Sequence, residues 1–200
     1  MRTLTTYFIL LVLVSCKNNK KSFYKEFYYP NKAVFLKKNN FQLIDIKKFE
    51  TLDELVSHIE SLKCLQKKAY LKIKNNNIRH NILISTSFAN HGPPLLKFKN
   101  IISISKDSIL KEKKHPISSL KIKLSKDLLN FGKDNKYSDS PEKLVVSITT
   151  EINEINNLIL KTVNTFNQIQ KESPDSLILN IFLNRRMEIY PLPPRTSNIE

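Results

Sequence analysis

The pattern of apolar and polar positions predicts a first folded section at residues 41–86. Five apolar residues recur three and four positions apart, which places them on one face of a helix: Leu52, Leu55, Val56, Ile59 and Leu62. Thr51 and Glu54 at the start of this helix match a capping box. Short apolar runs predict three strands around it, at residues 41–46, 69–74 and 78–85. The last two are expected to form a hairpin, because the three asparagines between them tolerate turn conformations.

A second and more strongly patterned section follows from residue 100 onward. Apolar runs predict four strands, at residues 101–105, 108–110, 144–149 and 177–182. A first helix carries one apolar face: Ile117, Leu120, Leu124, Leu128 and Phe131. The face of a second helix is longer: Ile152, Ile155, Ile159, Val163, Phe166 and Ile169. Pro116 is expected to open the first helix and Gly132 to end it, whereas Thr150 is expected to cap the second.

The first sixteen residues have the order of an export signal. Arg2 precedes an apolar run at residues 7–14, which as a helix would be only about 12 Å long and too short to span a bilayer. The run ends in Leu-Val-Ser15-Cys16, which resembles the lipobox of bacterial lipoproteins. The resemblance implies cleavage after Ser15, lipid on Cys16, and a position on a membrane of the bacterial cell envelope, facing the periplasm. An ordinary cleaved signal with a chance cysteine is the alternative.

These patterns predict an α+β fold: a small sheet with amphipathic helices packed on one face, after a lipoprotein signal and a flexible tether. The chain is divided into a signal at residues 1–15, an anchor and tether at 16–40, a first section at 41–86 and a second at 100–194. The two sections can form one domain. Aromatic residues near the end of the tether would rest at the membrane interface or pack on the folded part: Phe23, Tyr24, Phe27, Tyr28 and Tyr29.

The charge of the chain does not indicate a nucleic-acid partner. The formal net charge is +15, but the basic residues are mostly lysines spread through every segment. Proteins that recognise nucleic-acid bases, or bind phosphates through two hydrogen bonds at once, use mainly arginine side chains, and this chain has few arginines. We therefore interpret the charge as a compositional bias and expect no nucleic acid among its partners.

Motifs for cofactors, metals or catalysis are missing. Two glycines cannot build a Gly-rich phosphate loop, so no cofactor is expected. Four scattered histidines lack metal-ligand spacing, and we interpret them as surface or turn residues: His58, His80, His91 and His115. His91 is the least ordinary, because it precedes Gly92 and Pro93 in a loop. Cys64 is interpreted as a small buried hydrophobe; if Cys16 carries lipid, no internal disulfide is possible.

Pairs of neighbouring carboxylates are explained without catalysis. Asp53 and Glu54 lie in the first turn of one predicted helix, and Glu151 and Glu154 lie at the start of another. Acidic residues are favoured there because they oppose the positive end of the helix dipole. The sequence therefore names no catalytic residue and no metal ligand.

Residues 101–184 have an order of strand, short strand, helix, strand, helix, strand. The segments that carry this order are IISISKD, HPISSLKIKLSKDLL, KLVVSITT, INNLILKTVNTF and LILNIFL. The order resembles the periplasmic domain of the ExbD/TolR family of energy-transducing envelope proteins. The resemblance implies self-association or docking onto envelope partners. The chain departs from the family at its N-terminus, because residues 7–14 are too short for the membrane helix and lack the aspartate of proton coupling.

Together, these observations predict a membrane-anchored, non-enzymatic binding or scaffold module, an accessory of an ExbD/TolR-type energy-transducing or transport system. The expected partners are membrane lipid through Cys16, and an envelope protein or peptidoglycan; formation of a homodimer is compatible with this function. The alternative is a small envelope hydrolase that acts on an acidic polymer.

Overall fold

A computed structural model describes residues 24–36, 40–86 and 97–185. These residues form nine strands and four α-helices. The elements, in chain order, are β1 (Lys25–Tyr29), α1 (Lys32–Leu36), β2 (Phe41–Ile44), α2 (Leu52–Cys64), β3 (Lys68–Asn75), β4 (Ile78–Thr86), β5 (Ile101–Ile104), β6 (Ser108–Leu110), β7 (Lys114–Pro116), α3 (Leu120–Leu128), β8 (Val145–Ile148), α4 (Ile155–Glu172) and β9 (Asn180–Leu183).

All nine strands belong to one mixed sheet, in which eight have the order β2-β3-β4-β9-β8-β5-β6-β7 and β1 pairs with β4 outside this order. The four central strands β4, β9, β8 and β5 are parallel, whereas β3 is antiparallel to β4 and β6 is antiparallel to β5. β1 pairs with the first half of β4, and β9 pairs with its end. The sections predicted at 41–86 and 100–194 therefore share a single sheet through the β4–β9 pairing.

The hydrophobic core lies between one face of the sheet and the helices α2, α3 and α4. The register places Ile84 beside Ile181 and Ile181 beside Val146, so that their side chains point to the same face. These strand residues and the apolar stripes of the three helices form one buried cluster. The α+β fold is thereby confirmed, with the three longer helices packed on one face of a sheet that is larger than the sequence suggested.

The two longest helices confirm the periodicity read from the sequence. In α4, every predicted apolar residue from Ile155 to Ile169 is buried, and Ile152 packs at the edge of the core. In α2, the Thr51 hydroxyl accepts a hydrogen bond from the backbone N–H of Glu54 at 3.2 Å. The Glu54 carboxylate accepts from the backbone N–H of Glu50 rather than from that of Thr51.

Part of the segment predicted as a tether belongs to the fold. β1 is a strand of the sheet, where Tyr29 is buried opposite Ile82. The alternative of aromatic packing on the folded part is therefore the correct one for Phe27 to Tyr29. The short helix α1 lies on the other face of the sheet, where Phe35 stacks against Phe41 with ring centroids 5.1 Å apart. Residues 16–23 lie outside the described residues.

The helix predicted after Pro116 is shorter than expected at both ends. Pro116 ends β7, a short strand that the sequence did not predict, and α3 begins only at Leu120. α3 ends at Leu128, because the Asn130 side chain accepts a hydrogen bond from the backbone N–H of Asp134 and draws the chain into a turn. Phe131 is 42% exposed, with φ of 45°, instead of joining the core.

The predicted cap at Thr150 is also wrong. A 3₁₀ turn at Ile152–Glu154 precedes α4, with Glu151 as its N-cap. Glu154 in turn occupies the N-cap position of α4 itself. The strand predicted at residues 177–182 is β9, which begins three residues later, although Leu177 and Leu179 are buried as expected.

Candidate functional site

A buried ion pair joins α3 to the segment after β6. Lys111 Nζ lies 2.8 Å from Asp127 Oδ1, and the two side chains are 7% and 1% exposed. Two buried charges offset the cost of desolvation only when further hydrogen bonds accompany the pairing. Lys111 also donates to the carbonyl oxygen of Lys99. Asp127 accepts from the backbone N–H of Ser138 at 2.7 Å. The pair therefore fixes three segments of the chain around α3.

The segment between α3 and β8 is held by further buried polar groups. Ser138 is fully buried, and its Oγ donates to Asn100 Oδ1 at 3.1 Å. The same Asn100 oxygen accepts from the backbone N–H of Asp139 at 2.9 Å. The Asn130 amide donates to the carbonyl oxygens of Asp134 and Ser138. This segment has neither helix nor strand, but side-chain hydrogen bonds fix it against the residues that precede β5.

A cavity of about 450 Å³ opens beside this segment, and we term it the polar cavity. Its lining residues are Lys97, Asn100, Asp139, Glu142, Lys143, Val145, Asn180 and Phe182. Val145 and Phe182 supply an apolar surface on the sheet face opposite the core, and the other six side chains are polar or charged. An apolar surface with a few converging polar groups is typical of sites for small ligands.

The polar cavity lies at the N-terminal ends of three parallel strands. Val145 begins β8, Asn180 begins β9, and Asn100 immediately precedes β5. The Asn180 amide donates to the carbonyl oxygens of Glu142 and Leu144, at 3.0 and 3.1 Å, and so closes one side of the cavity. Open α/β sheets more often bind ligands at the carboxyl ends of their strands. Fold analogy therefore gives no reason to expect a site here, and the side chains alone define it.

The two carboxylates of the polar cavity are ionised at neutral pH. Lys99 pairs with Asp139 Oδ1, and Lys97 Nζ lies 3.3 Å from Asp139 Oδ2. The hydrogen bond from Lys99 is the main cause that lowers the pKa of Asp139 to about 2. Hydrogen bonding to Ser140 lowers the pKa of Glu142 below its usual value.

Fixed charges, rather than exchangeable protons, therefore characterise the polar cavity. General acid–base catalysis is efficient when the pKa of the catalytic group lies near the working pH. The pKa values of Asp139 and Glu142 are displaced away from neutrality, and none of the described lining residues is a histidine or a cysteine. This arrangement is suited to binding charged and hydrogen-bonding groups.

His80 is buried, which corrects the interpretation of all four histidines as surface or turn residues. It is 1% exposed, and its ring stacks with those of Phe27 and Tyr29. The Tyr29 hydroxyl donates to Asn167 Oδ1 at 3.0 Å, so it must accept from Nδ1 of His80, which lies 3.3 Å away. Burial lowers the pKa of His80, and the ring is therefore neutral in the folded state.

The remaining histidines do not form a site in the described residues. His58 lies on the exposed side of α2, with its ring tilted against that of Phe49. His115 is half-buried in β7, far along the chain from both His58 and His80. Cys16 and His91 lie outside the described residues, so the structure says nothing of the predicted lipid site or of the loop histidine.

Cys64 is exposed at the end of α2, although the sequence suggested a buried side chain. It lies nine positions after Leu55, and at about 100° per residue this turns it to the opposite side of the helix.

The neighbouring carboxylates also do not converge. Glu54 caps α2, and Glu154 pairs with Lys106 at 3.2 Å.

The side chains that form the polar cavity were not singled out from the sequence. A signal was present only for the buried ion pair: Asp127 is flanked by Leu124 and Leu128 on the apolar face of α3, so its burial could have been anticipated. An acidic residue at such a position needs a basic partner. Nothing in the sequence identifies Lys111 as that partner, because the pairing joins segments that are separated by a turn and a strand.

Comparison with known proteins does not assign a function to these features. No family model, no curated protein and no solved structure matches this chain. In the described parts of the chain, no three histidine, cysteine, aspartate or glutamate side chains come together as a metal ion would require. Among the same residues, no helix has both the length and the apolar character of a membrane span.

Proposed function

We propose that this chain is a lipid-anchored module of the bacterial envelope that binds a partner and does not transform it. Lipid on Cys16 would hold it to a membrane, with the folded part on the periplasmic side. The support is the lipobox-like end of the apolar run at residues 7–14. Two or more acyl chains give stable anchoring, whereas one chain gives only marginal binding.

The spacing between the anchor and the fold restricts where binding takes place. Eight residues separate Cys16 from the start of β1 at Lys25. Even a fully extended chain of this length reaches only about 30 Å. The folded part would therefore work close to its membrane, where envelope proteins and, at a suitable distance, peptidoglycan are within reach.

The lining of the polar cavity is the observation that carries this proposal. Glu142 supplies negative charge, Asp139 is paired with Lys97 and Lys99, and Lys143 supplies positive charge at a cavity that the apolar Phe182 also lines. Such a site fits a ligand that carries both amino and carboxylate groups, as peptides and the peptide stems of peptidoglycan do. The alternative of an envelope hydrolase is not supported by the polar cavity, because the pKa values of both its carboxylates lie away from neutrality, where acid–base catalysis is inefficient.

A narrower proposal is that the module is an accessory of an ExbD/TolR-type energy-transducing or transport system. Its support is the order of β5, β6, β7, α3, β8, α4 and β9, which differs from the order that the resemblance implies by the additional short strand β7. No solved structure matches the chain, so this narrower proposal depends on the order of elements alone. Docking or self-association, rather than proton coupling, is the function proposed.

Co-sedimentation with purified peptidoglycan sacculi tests the binding proposal. Full-length protein in mild detergent is incubated with sacculi, and the bound fraction is measured after centrifugation. We expect Lys143→Glu to reduce the bound fraction about ten-fold, because it removes a charged partner from the polar cavity and adds a repulsive charge.

The matched control is Lys161→Glu, which makes the same change of charge on the exposed side of α4, across the sheet from the polar cavity. This variant should bind sacculi nearly as well as the wild-type protein. Equal losses for the two variants would mean that net charge, and not the polar cavity, determines binding. If the wild-type protein does not sediment with sacculi, the same pair of variants is tested for cross-linking to envelope proteins in cells.

A further inference from the structure

A second cavity, of about 230 Å³, lies on the other side of the sheet, and we term it the lysine cavity. Its lining residues are Ile59, Lys63, Gln66, Lys67, Lys68, Ala69, Leu83, Ile84, Ser85 and Thr86. It lies between the C-terminal end of α2 and the C-terminal end of β4. The carboxyl ends of β4 and β9 meet at this place, which is the usual location of ligands in parallel sheets.

The charge of the lysine cavity has one sign. Three lysines line it, and none of its described lining residues is acidic. Glu60 on α2, whose charge also acts on Lys63, is paired with Arg185 at 3.0 Å. Ile59, Ala69 and Ile84 supply an apolar surface below the lysines. The lining thus combines a positive rim with an apolar interior.

The backbone carbonyl groups at the end of α2 do not repel an anion in the lysine cavity. The last carbonyl oxygens of a helix are normally unsatisfied and carry partial negative charge. In α2, the Leu62 oxygen accepts from the backbone N–H of Lys67, and the Lys63 oxygen accepts from that of Gln66, both at 2.9 Å. These two bonds form a Schellman motif that satisfies the carbonyl groups.

Thr86 lines the lysine cavity and has a buried hydroxyl group. The residue is 2% exposed, and its Oγ1 has no hydrogen-bond partner among the described residues. A buried hydroxyl without a partner is destabilising, so its presence needs an explanation. A ligand oxygen in the lysine cavity would supply the missing partner.

Gln66 is a second residue that lowers the stability of the fold at its position. It occupies the left-handed position of the Schellman motif, with φ of 56°, where glycine is strongly preferred. Its side chain lines the lysine cavity, and an amide can donate to an anion. Gln66 and Thr86 therefore share one property: each is disfavoured for stability at a position that faces the same cavity.

We propose that the lysine cavity binds a small organic anion, with its carboxylate or phosphate group among the lysines, Gln66 and Thr86 and its apolar part on Ile59 and Ile84. At about 30 Å³ per water molecule, the volume corresponds to roughly eight water molecules, and so to a small ligand. This site is separate from the polar cavity and does not depend on the function proposed for it.

Hexanoate and hexanamide are suitable probes, because they have the same size and differ in charge. Binding to the full-length protein is followed by NMR through the backbone amides of Lys67, Lys68 and Thr86. Hexanoate should give saturable shifts that weaken with salt, and hexanamide should give none at the same concentrations. Inorganic phosphate provides a third arm: shifts at the same amides would show that the anionic group alone is recognised. Shifts from hexanamide equal to those from hexanoate would overturn the proposal.

Two variants separate a ligand site from a purely structural role, since stability and binding should change in opposite directions. Gln66→Gly relieves the left-handed strain, and Thr86→Val removes, at nearly constant shape, the hydroxyl that has no partner among the described residues. Each should raise the Tm by about 2 to 4 °C. Each should also weaken hexanoate binding, by about ten-fold for Thr86→Val.

The matched control is Thr162→Val in α4, where the hydroxyl already donates to the Leu158 carbonyl oxygen at 2.9 Å. This variant should leave hexanoate binding unchanged. A lower Tm for Thr86→Val would show that its hydroxyl has a partner within the protein, and the proposal would fail. Unchanged hexanoate binding in both cavity variants would overturn it as well.

Discussion

Two buried ionisable side chains, Asp127 and His80, differ in how the fold accommodates them. Asp127 keeps a charged partner, Lys111, although burial raises the pKa of its carboxyl group. His80 has a neutral partner in Tyr29, and its Nε2 atom has no hydrogen-bond partner among the described residues. A proton added to His80 would therefore place an unpaired charge between two aromatic rings. Mild acid should therefore destabilise the protein by protonating His80.

The first prediction is that acid destabilises the protein through His80. Burial lowers the folded-state pKa of His80 below the usual 6.5, so the unfolded chain binds the proton more readily. Stability is therefore present above pH 6.5 and is lost as the pH falls below it, by at most about 1.4 kcal/mol per pH unit. Urea unfolding at a series of pH values between 5 and 8 measures this slope.

The variant His80→Phe should have a shallower slope, because it removes the titrating group and keeps an aromatic ring in the stack. His58→Phe, at an exposed position, should keep the slope of the wild-type protein. His115 also titrates, since desolvation lowers its pKa, but it does so equally in all three proteins. The same slope for wild-type and His80→Phe would contradict the assignment of His80 as the acid-sensitive group.

Long helices and the hairpin were predictable at the scale of single elements, because their periodicity extends over many residues. α2, α4 and the β3–β4 hairpin lie within a few residues of the predicted positions. β1 and β7 were missed, since strands of five and three residues with lysines among them carry little periodic signal. The end of α3 was also missed, because Asn130 terminates it through contacts that come later in the chain.

A second prediction tests the packing of α4 on the sheet. Ile159 is fully buried in the core cluster with Val146 and Ile181. Ile159→Asp would place a carboxylate there without a partner, and we expect it to lower the free energy of unfolding by about 3 to 5 kcal/mol. That is a large part of the roughly 5 to 15 kcal/mol typical of a domain.

Asn157→Asp is the control, since Asn157 lies in the same helix and is exposed. It should change the free energy of unfolding by less than about 0.5 kcal/mol. Denaturant melts of both variants decide the question. A comparable loss in the two would mean that the face of α4 that packs on the sheet has been wrongly assigned.

At the scale of the whole molecule, sequence patterns could not predict that two other strands, β1 and β9, both pair with β4. β1 and β9 lie one after the other along the same side of β4, although more than 140 residues separate them in the chain. Both cavities depend on such distant pairings: the polar cavity needs β8 beside β9, and the lysine cavity needs α2 beside the end of β4. Local periodicity contains no information about these contacts, so the elements could be predicted from the sequence and the two cavities could not.

The last prediction concerns the anchor, and it joins the fold to its place in the cell. If Cys16 is the lipidated residue, Cys16→Ser should abolish incorporation of radioactive fatty acid and move the protein out of the membrane fraction. Cys64→Ser is the matched control, because Cys64 is the only other cysteine in the chain and is exposed. This variant should label and fractionate as the wild-type protein does.

Equal labelling of the wild-type protein and Cys16→Ser would contradict the lipid anchor, and the proposed position close to the membrane would fall with it. Binding in the polar cavity would remain testable, because the residues that line it begin 81 positions after Cys16, at Lys97.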